Sequence, residues 1–150
     1  MAERHRVEIT PKLLDAIVRA ETPRDWKIIR SPHTSGATRT PLRRITIPAY
    51  KHGYRALWVF FHEVCHALRL DAGEFLLHVG HEAWGTTSLE ETIAEKYAMF
   101  MLQRYGFPIT LAEFNHAKAN IRVSVRRERK AGIAIPAEVA EFLSLPYIDA

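Results

Sequence analysis

The stretch WVFFHEVCHALRL, Trp58 to Leu70, decides how this 150-residue sequence is interpreted. Together with the residues before it, it predicts a helix from about Tyr54 to Leu70, between Gly53 and the stop signal Asp71-Ala72-Gly73. One side of this helix is apolar, through Leu57, Phe61, Val64, Cys65 and Leu68. Neighbouring aromatic residues extend the apolar surface, so we expect the helix to be buried on nearly every side.

The polar residues His62, Glu63 and His66 stand in the middle of this apolar helix. Burying an unpartnered polar group costs about 1–3 kcal/mol, so their presence indicates that something satisfies them. His62 and His66 are four residues apart, which places both imidazoles on one helix face, able to converge on a single Zn²⁺. Glu63 then points beside the metal, where it can take a proton from a zinc-bound water. The pattern is the H-E-x-x-H signature of metallopeptidases.

A less specific interpretation of these residues stays open, in which two histidines are satisfied within the core and the glutamate forms a salt bridge. The context favours zinc, because a β-like run, RRITIPAY, precedes the helix, and a strand usually precedes the active-site helix of a zincin. Cys65 sits about 60° round the helix from His62, and we expect it to pack as a small core residue rather than to bind metal.

A catalytic zinc needs three protein ligands and one open position. The metzincin extension of the motif is excluded, because Arg69 and Ala72 occupy the positions where it requires glycine and histidine. Downstream, a helix predicted to begin at Thr87 or Ser88 and to end at Tyr105 carries Glu91 and Glu95 on one face. This second helix is therefore a source of the third ligand.

Glu91 is the predicted third ligand, because Ala94 and Ala98 beside it would allow its helix to approach the motif helix closely. Glu95, one turn further on, would accept a hydrogen bond from a ligating histidine. Glu95 is itself an alternative third ligand. Ser88 and Glu91 also fit a capping box, which would give Glu91 a purely local role.

The rest of the sequence predicts an α+β domain that is mostly helical, with a small β-sheet packed on the motif helix. Its 47% hydrophobic content and the lack of a long linker favour a single domain over residues 1–150. The predicted strands are Trp26–Ile29 and Ile45–Ile47, separated by a turn-rich loop, SPHTSGATRTP. The other helices are predicted to begin at Thr10-Pro11, at a Thr110–Glu113 capping box and at Ile135-Pro136, the last running to Leu143.

The strand, the H-E-x-x-H helix and a second helix with Glu91, Glu95 and Tyr97-Ala98 together resemble the small gluzincin-type metallopeptidases of the ImmA/IrrE group. The resemblance covers roughly residues 43–102, and Glu95 stands where the group more often has Asn or Asp. It implies a zincin-like domain that hydrolyses peptide bonds of an intracellular protein, such as a regulatory protein. By this resemblance the zinc ligands and the general base are His62, His66, Glu91 and Glu63.

A second resemblance, to SprT-like proteases that act on DNA-bound proteins, takes the third ligand from another segment. The segment HVGHEAWG contains His78 and His81, followed by Trp84. His81 would be the third ligand, although Glu82 stands where a glycine is usual. The basic run IRVSVRRERK would suit a DNA-associated protein. Because no aromatic platform or base-reading motif accompanies it, we expect weak, salt-sensitive nucleic-acid binding or none.

A peptidase also needs a group that stabilises the oxyanion of the transition state. The side chains that could do so are His116, Tyr97, Tyr105 and Arg122. The alternative to an enzyme is a zinc-binding protein without catalytic turnover, in which the metal is structural.

The remaining features concern the setting of the protein. Its one cysteine cannot form an internal disulfide, and the N-terminal stretch MAERHRVEIT is charged. No apolar segment approaches the roughly 20 residues of a membrane span. The sequence therefore predicts a cytoplasmic protein without membrane contact.

Overall fold

The computed structural model describes residues 8–31, 37–39, 43–48, 53–75 and 87–147. Within these ranges the chain is mostly helical with one small sheet, so it has the expected α+β class. The helices are α1 (Pro11–Glu21), α2 (Gly53–Asp71), α3 (Ser88–Arg104), α4 (Leu111–Lys130) and α5 (Ala137–Ser144). The strands are β1 (Lys27–Ser31), β2 (Ala37–Arg39) and β3 (Arg44–Pro48). No helix in these ranges is long and apolar enough to cross a membrane.

The central strand of the sheet is β3, which pairs with β1 in parallel and with β2 in antiparallel orientation. Ile45 and Ile47 of β3 are fully buried, and this strand packs against α2. The sequence prediction missed β2, because it interpreted the whole segment between the two predicted strands as a turn-rich loop. Three residues are too few for a hydrophobic period, so this strand is defined by its pairing with β3 rather than by its own pattern.

The predicted helix starts are present, but one cap differs from the prediction. Thr10 caps α1 by accepting a hydrogen bond from the backbone N of Leu13 over 3.2 Å. Thr110 caps α4 in the same way, with the N of Glu113 at 3.3 Å. The carboxylate of Glu113 does not return to Thr110, because it accepts a hydrogen bond from Arg55 of α2 over 2.9 Å. Of the two hydrogen bonds of the predicted capping box, the one accepted by the Thr110 hydroxyl is formed. The carboxylate of Glu113 instead links α4 to α2.

The main core surrounds α2, whose Phe60 and Phe61 are fully buried together with side chains of α1, the sheet and α3. Leu68 differs from its prediction, because its residue surface is 44% exposed. A smaller core lies between α4 and α5, where Phe114 and Phe142 meet. Because α3 packs against both α2 and α4, it lies between the two cores.

Candidate metal centre

Three side chains from two helices meet at one point. The Nε2 atoms of His62 and His66, on α2, lie 2.9 Å apart. The carboxylate of Glu91, in the first turn of α3, lies 3.0 Å from Nε2 of His62 and 3.3 Å from Nε2 of His66. All three residues are at most 9% exposed. The structure therefore brings together the three residues that the sequence analysis predicted as zinc ligands.

Two further carboxylates flank His62. Oε1 of Glu63 lies 3.9 Å from Nε2 of His62, beside the converging groups. Oε1 of Glu95 lies 2.7 Å from the other ring nitrogen of His62, Nδ1. Trp58, one turn before His62, donates its indole N–H to Oε2 of Glu95 over 2.7 Å. Glu95 thus has the position expected of a residue that orients a ligand.

Glu90 faces the ring of His66 as Glu95 faces that of His62, and the sequence analysis did not predict this contact. Its Oε1 lies 3.4 Å from Nδ1 of His66, and its side chain is fully buried. Arg69 donates from Nε to both oxygens of Glu90, over 2.8 and 2.9 Å. A signal was present, because Arg69 follows His66 by three residues and so shares its helix face, where an acidic partner is expected.

These contacts decide which ring nitrogens can bind a metal. A carboxylate only accepts hydrogen bonds, so the Nδ1 atoms facing Glu95 and Glu90 carry protons and the Nε2 atoms can offer lone pairs. Tetrahedral zinc with bonds of about 2.0–2.1 Å separates its ligand atoms by roughly 3.3 Å. The two Nε2 atoms are 2.9 Å apart, Nε2 of His62 is 3.0 Å from Oε2 of Glu91, and Nε2 of His66 is 3.3 Å from the other oxygen, Oε1. These separations are close to that value, with each histidine facing its own oxygen of the carboxylate.

The carboxylates of the cluster favour the protonated form of both histidines. Burial lowers the pKa of His62, but the carboxylates of Glu95 and Glu91 outweigh this effect and raise the pKa well above its usual value. Burial likewise lowers the pKa of His66, and hydrogen bonds to Glu90 and Glu91 raise it above the usual value. Burial acts to raise the pKa of Glu91, yet His62 and His66 hold that pKa well below its usual range. A metal cation binding here would replace protons on the imidazoles.

Part of the cluster lines a cleft of about 450 Å³, a volume in the range of ligand sites: His62, Glu63 and Glu91 are among the lining residues, whereas His66 is not. Glu91 and Glu95 of α3 line the cleft, and the lining residues of α2 form one wall. The Arg55–Glu113 salt bridge, 2.9 Å long, links that wall to α4 at the N-terminal ends of both helices. The α4 wall presents one helix face, with Glu113, His116, Asn120, Val123, Ser124 and Arg127.

Comparisons of the chain with protein families, with curated proteins and with solved structures found no match. Any functional conclusion therefore rests on the geometry and chemistry of the site itself.

The beginning of α3 determines where Glu90 and Glu91 lie. Thr87 is the N-cap, and its hydroxyl accepts a hydrogen bond from the N of Glu90 over 3.0 Å. Ser88 donates its backbone N–H to Oε1 of Glu128 over 2.8 Å and its hydroxyl to Oε2 of the same carboxylate. The alternative of a Ser88–Glu91 capping box is therefore wrong, because Thr87 is the cap and Ser88 binds Glu128 of α4.

Of the four side chains considered for the oxyanion, His116 is the one that lines the cleft. Tyr105 donates its hydroxyl to Glu21, and its ring stacks on Phe61 at a centroid distance of 5.9 Å. Tyr97 is half-buried against the main core, and Arg122 is exposed on α4 and is not one of the residues that line the cleft.

The basic run at the C-terminal end of α4 is more structured than its composition indicates. Ile121, Val125 and Glu128 of the run are buried, whereas its arginines and Lys130 are exposed. The run is thus one face of an amphipathic helix, and its single acidic residue anchors α3. Sequence reasoning missed this role because Ser88 is 40 residues away.

The segment that would supply the ligand of the SprT-like alternative lies outside the described residues. It contains His78, His81, Glu82 and Trp84.

Cys65, predicted to be a core residue, is buried, and burial raises the pKa of its thiol to about 11. Such a thiol is a weak metal ligand, because the thiolate is the form that binds.

Proposed function

We propose that this chain is a zinc-dependent metallopeptidase of the zincin-like type, with His62, His66 and Glu91 as metal ligands and Glu63 as general base. The observation that supports it is the convergence of two Nε2 atoms and one carboxylate beside a cleft that His62 and Glu91 line. Three protein ligands beside an open cleft are the donor set of a catalytic zinc site, whereas structural zinc sites use four protein ligands.

The outer partners of the histidines support the same proposal. Ligating histidines in zinc sites commonly donate their second N–H to a carboxylate, which fixes the ring and raises its basicity. Here Glu95 stands at Nδ1 of His62 and Glu90 at Nδ1 of His66. Two histidines satisfied merely as core residues would not require both Nε2 atoms to point at a third carboxylate.

The surroundings of Glu63 support its proposed role as general base. Its side chain lines the cleft and is 6% exposed, with Oε1 3.9 Å from Nε2 of His62. Zinc, when bound, would supply Lewis acidity for the scissile carbonyl and for the attacking water. The carboxylate of Glu63 would take up the proton from that water and deliver it to the leaving amine. His116 is the cleft residue that we assign to the carbonyl oxygen.

The substrate would lie between α2 and α4, in contact with both walls of the cleft. We keep the sequence-based expectation that it is an intracellular protein, such as a regulatory protein, and that the chain acts in the cytoplasm. The basic face of α4 supports no more than the weak nucleic-acid binding expected from its composition.

The test measures metal content and cleavage in the protein and in its Glu63→Gln variant. We expect about one zinc per chain in both, because Glu63 is not a ligand. Denatured casein and a proteome-derived peptide library serve as probes, with cleavage sites read by mass spectrometry. The variant should lose hydrolysis, since an amide of nearly the same shape cannot act as a base.

Each contrary outcome has a separate meaning. A protein that takes up no zinc on titration would refute the metal site. Equal cleavage by both forms would show that Glu63 is not the base. Zinc uptake without cleavage of either probe would favour the alternative of a zinc-binding protein without turnover.

A further inference from the structure

Glu91 is held from a third direction by a residue of α4. Asn120 donates a hydrogen bond from Nδ2 to Oε2 of Glu91 over 3.1 Å. That oxygen also faces His62, while the other carboxylate oxygen faces His66. We propose that Asn120 is a positioning residue, which holds the carboxylate of Glu91 in the orientation that completes the metal centre. This inference rests on the zinc site of the proposed function.

The three predicted ligands differ in how much positioning they need. An imidazole has two side-chain torsions, and both histidines are oriented through Nδ1 by buried carboxylates. Glu91 has three torsions, and fixing a long polar side chain costs up to about 2 kcal/mol in entropy. A hydrogen bond that fixes this carboxylate before metal binding removes part of that cost from the binding step.

The chemistry of an amide suits this task. An arginine or lysine bound to Glu91 would neutralise the carboxylate and compete with a metal cation for it. Arg69 does so for Glu90, which orients a histidine instead of facing the other converging groups. Asn120 is neutral, so its N–H can orient the carboxylate of Glu91 while leaving the negative charge for the metal.

The position of Asn120 is itself fixed by a buried contact. Glu128 lies eight residues further along α4, on the same helix face, and is 2% exposed. It binds the backbone N–H and the hydroxyl of Ser88 at the start of α3. Asn120 and Glu128 therefore bind the same first turn of α3 at two points, Glu91 and Ser88. This double contact sets the register of α4 against the turn that carries the third ligand.

The test compares Asn120→Ala with Asn115→Ala. Asn115 is also exposed on α4 but does not line the cleft, so it controls for removing a surface asparagine from this helix. Zinc affinity is measured by competition with a chelating dye at one pH, together with the melting temperature of the metal-free proteins. We expect Asn120→Ala to weaken zinc binding by about 10- to 100-fold. Asn115→Ala should match the unchanged protein, and both metal-free variants should unfold cooperatively, with Asn120→Ala melting at most a few degrees lower because one hydrogen bond is lost.

A double-mutant cycle separates positioning from a general structural role. In a Glu91→Ala background, the same Asn120→Ala change should leave the remaining zinc affinity unchanged, because no carboxylate is left to position. An equal loss in both backgrounds, or a metal-free Asn120→Ala variant that no longer unfolds cooperatively, would overturn the proposal. Zinc binding by the unchanged protein with equal affinities for both asparagine variants would overturn it too. Failure of the unchanged protein to bind zinc would instead be a failure of the proposed function.

Discussion

The helix α2 carries two kinds of side-chain surface, an apolar stripe and a polar stripe. The apolar stripe, buried in the main core, consists of Leu57, Phe60, Phe61 and Val64. The polar stripe, which binds acidic residues of α3, consists of Trp58, His62, His66 and Arg69. One helix thus provides fully buried core residues along one side and two of the three proposed metal ligands along another.

The difference between the stripes is one of specificity. The hydrophobic effect does not depend on the direction of a contact. Other apolar side chains of similar volume could therefore replace those that pack against Phe60. Each polar group instead needs a particular atom at hydrogen-bond distance, because a buried group without a partner costs free energy. The apolar stripe should therefore govern stability, and the polar stripe should govern metal binding.

The largest expected effect is on the apolar stripe. Phe60→Ala removes a fully buried ring and should lower the free energy of unfolding of the metal-free protein by about 3–5 kcal/mol. Denaturant unfolding measures this loss. The fraction that remains folded should bind zinc with unchanged affinity. A large loss of affinity in that fraction would show that the two stripes are not separable.

Removal of the third ligand tests the polar stripe. Glu91→Ala should weaken zinc binding by more than the roughly 100-fold upper value for an outer partner, since a direct metal bond is lost. In the unchanged protein, zinc at 100 times its dissociation constant should add about 2.7 kcal/mol of stability, which the variant should lack at the same concentration.

His81→Ala is the matched comparison for that change, because the SprT-like alternative takes its third ligand from His81. We expect zinc affinity to stay near that of the unchanged protein. The reverse pattern would favour the alternative. Equal losses in Glu91→Ala and His81→Ala would mean that neither family resemblance describes the site.

A smaller effect is expected for the carboxylates that orient the histidines. Glu95→Ala and Glu90→Ala should each lower zinc affinity by about 10- to 100-fold, less than loss of a ligand. Glu138→Ala is the control, because that glutamate pairs with Lys96 on the surface, with both side chains about half exposed. Dye competition at one pH measures all three. Losses as large as that of Glu91→Ala would place Glu95 or Glu90 among the direct ligands.

Much of the helical structure could be predicted from local sequence signals. The predicted motif helix, Tyr54 to Leu70, differs from α2 by one residue at each end. The stop at Asp71-Ala72-Gly73 is present because Gly73 adopts a positive φ of 70°, which glycine reaches without strain. Strand β2 and the exposure of Leu68 were not predicted, because each depends on which other element lies nearby.

The site could be predicted in part. His62, Glu63 and His66 lie on one helix at a spacing that fixes their relative positions, so the sequence indicates them directly. The roles of Glu91 and Glu95 were predicted from their four-residue spacing on a second helix and from a family resemblance. Asn120 was missed, because nothing near it in sequence indicates which atom it binds. Glu90 was missed, because Arg69 beside His66 indicates an acidic partner but not which residue supplies it.

The sequence by itself determined the elements whose cause is local. Helix caps, glycine stops and the four-residue spacing of the histidines act within one or two turns of chain, so they can be derived from a few neighbouring residues. Only the tertiary structure decided the partners of the polar stripe. Glu90 lies 24 residues from His66, and Glu95 lies 37 residues from Trp58. Such contacts form when packed helices bring distant residues within about 3 Å, and directional hydrogen bonds then select among the carboxylates that the packing makes available.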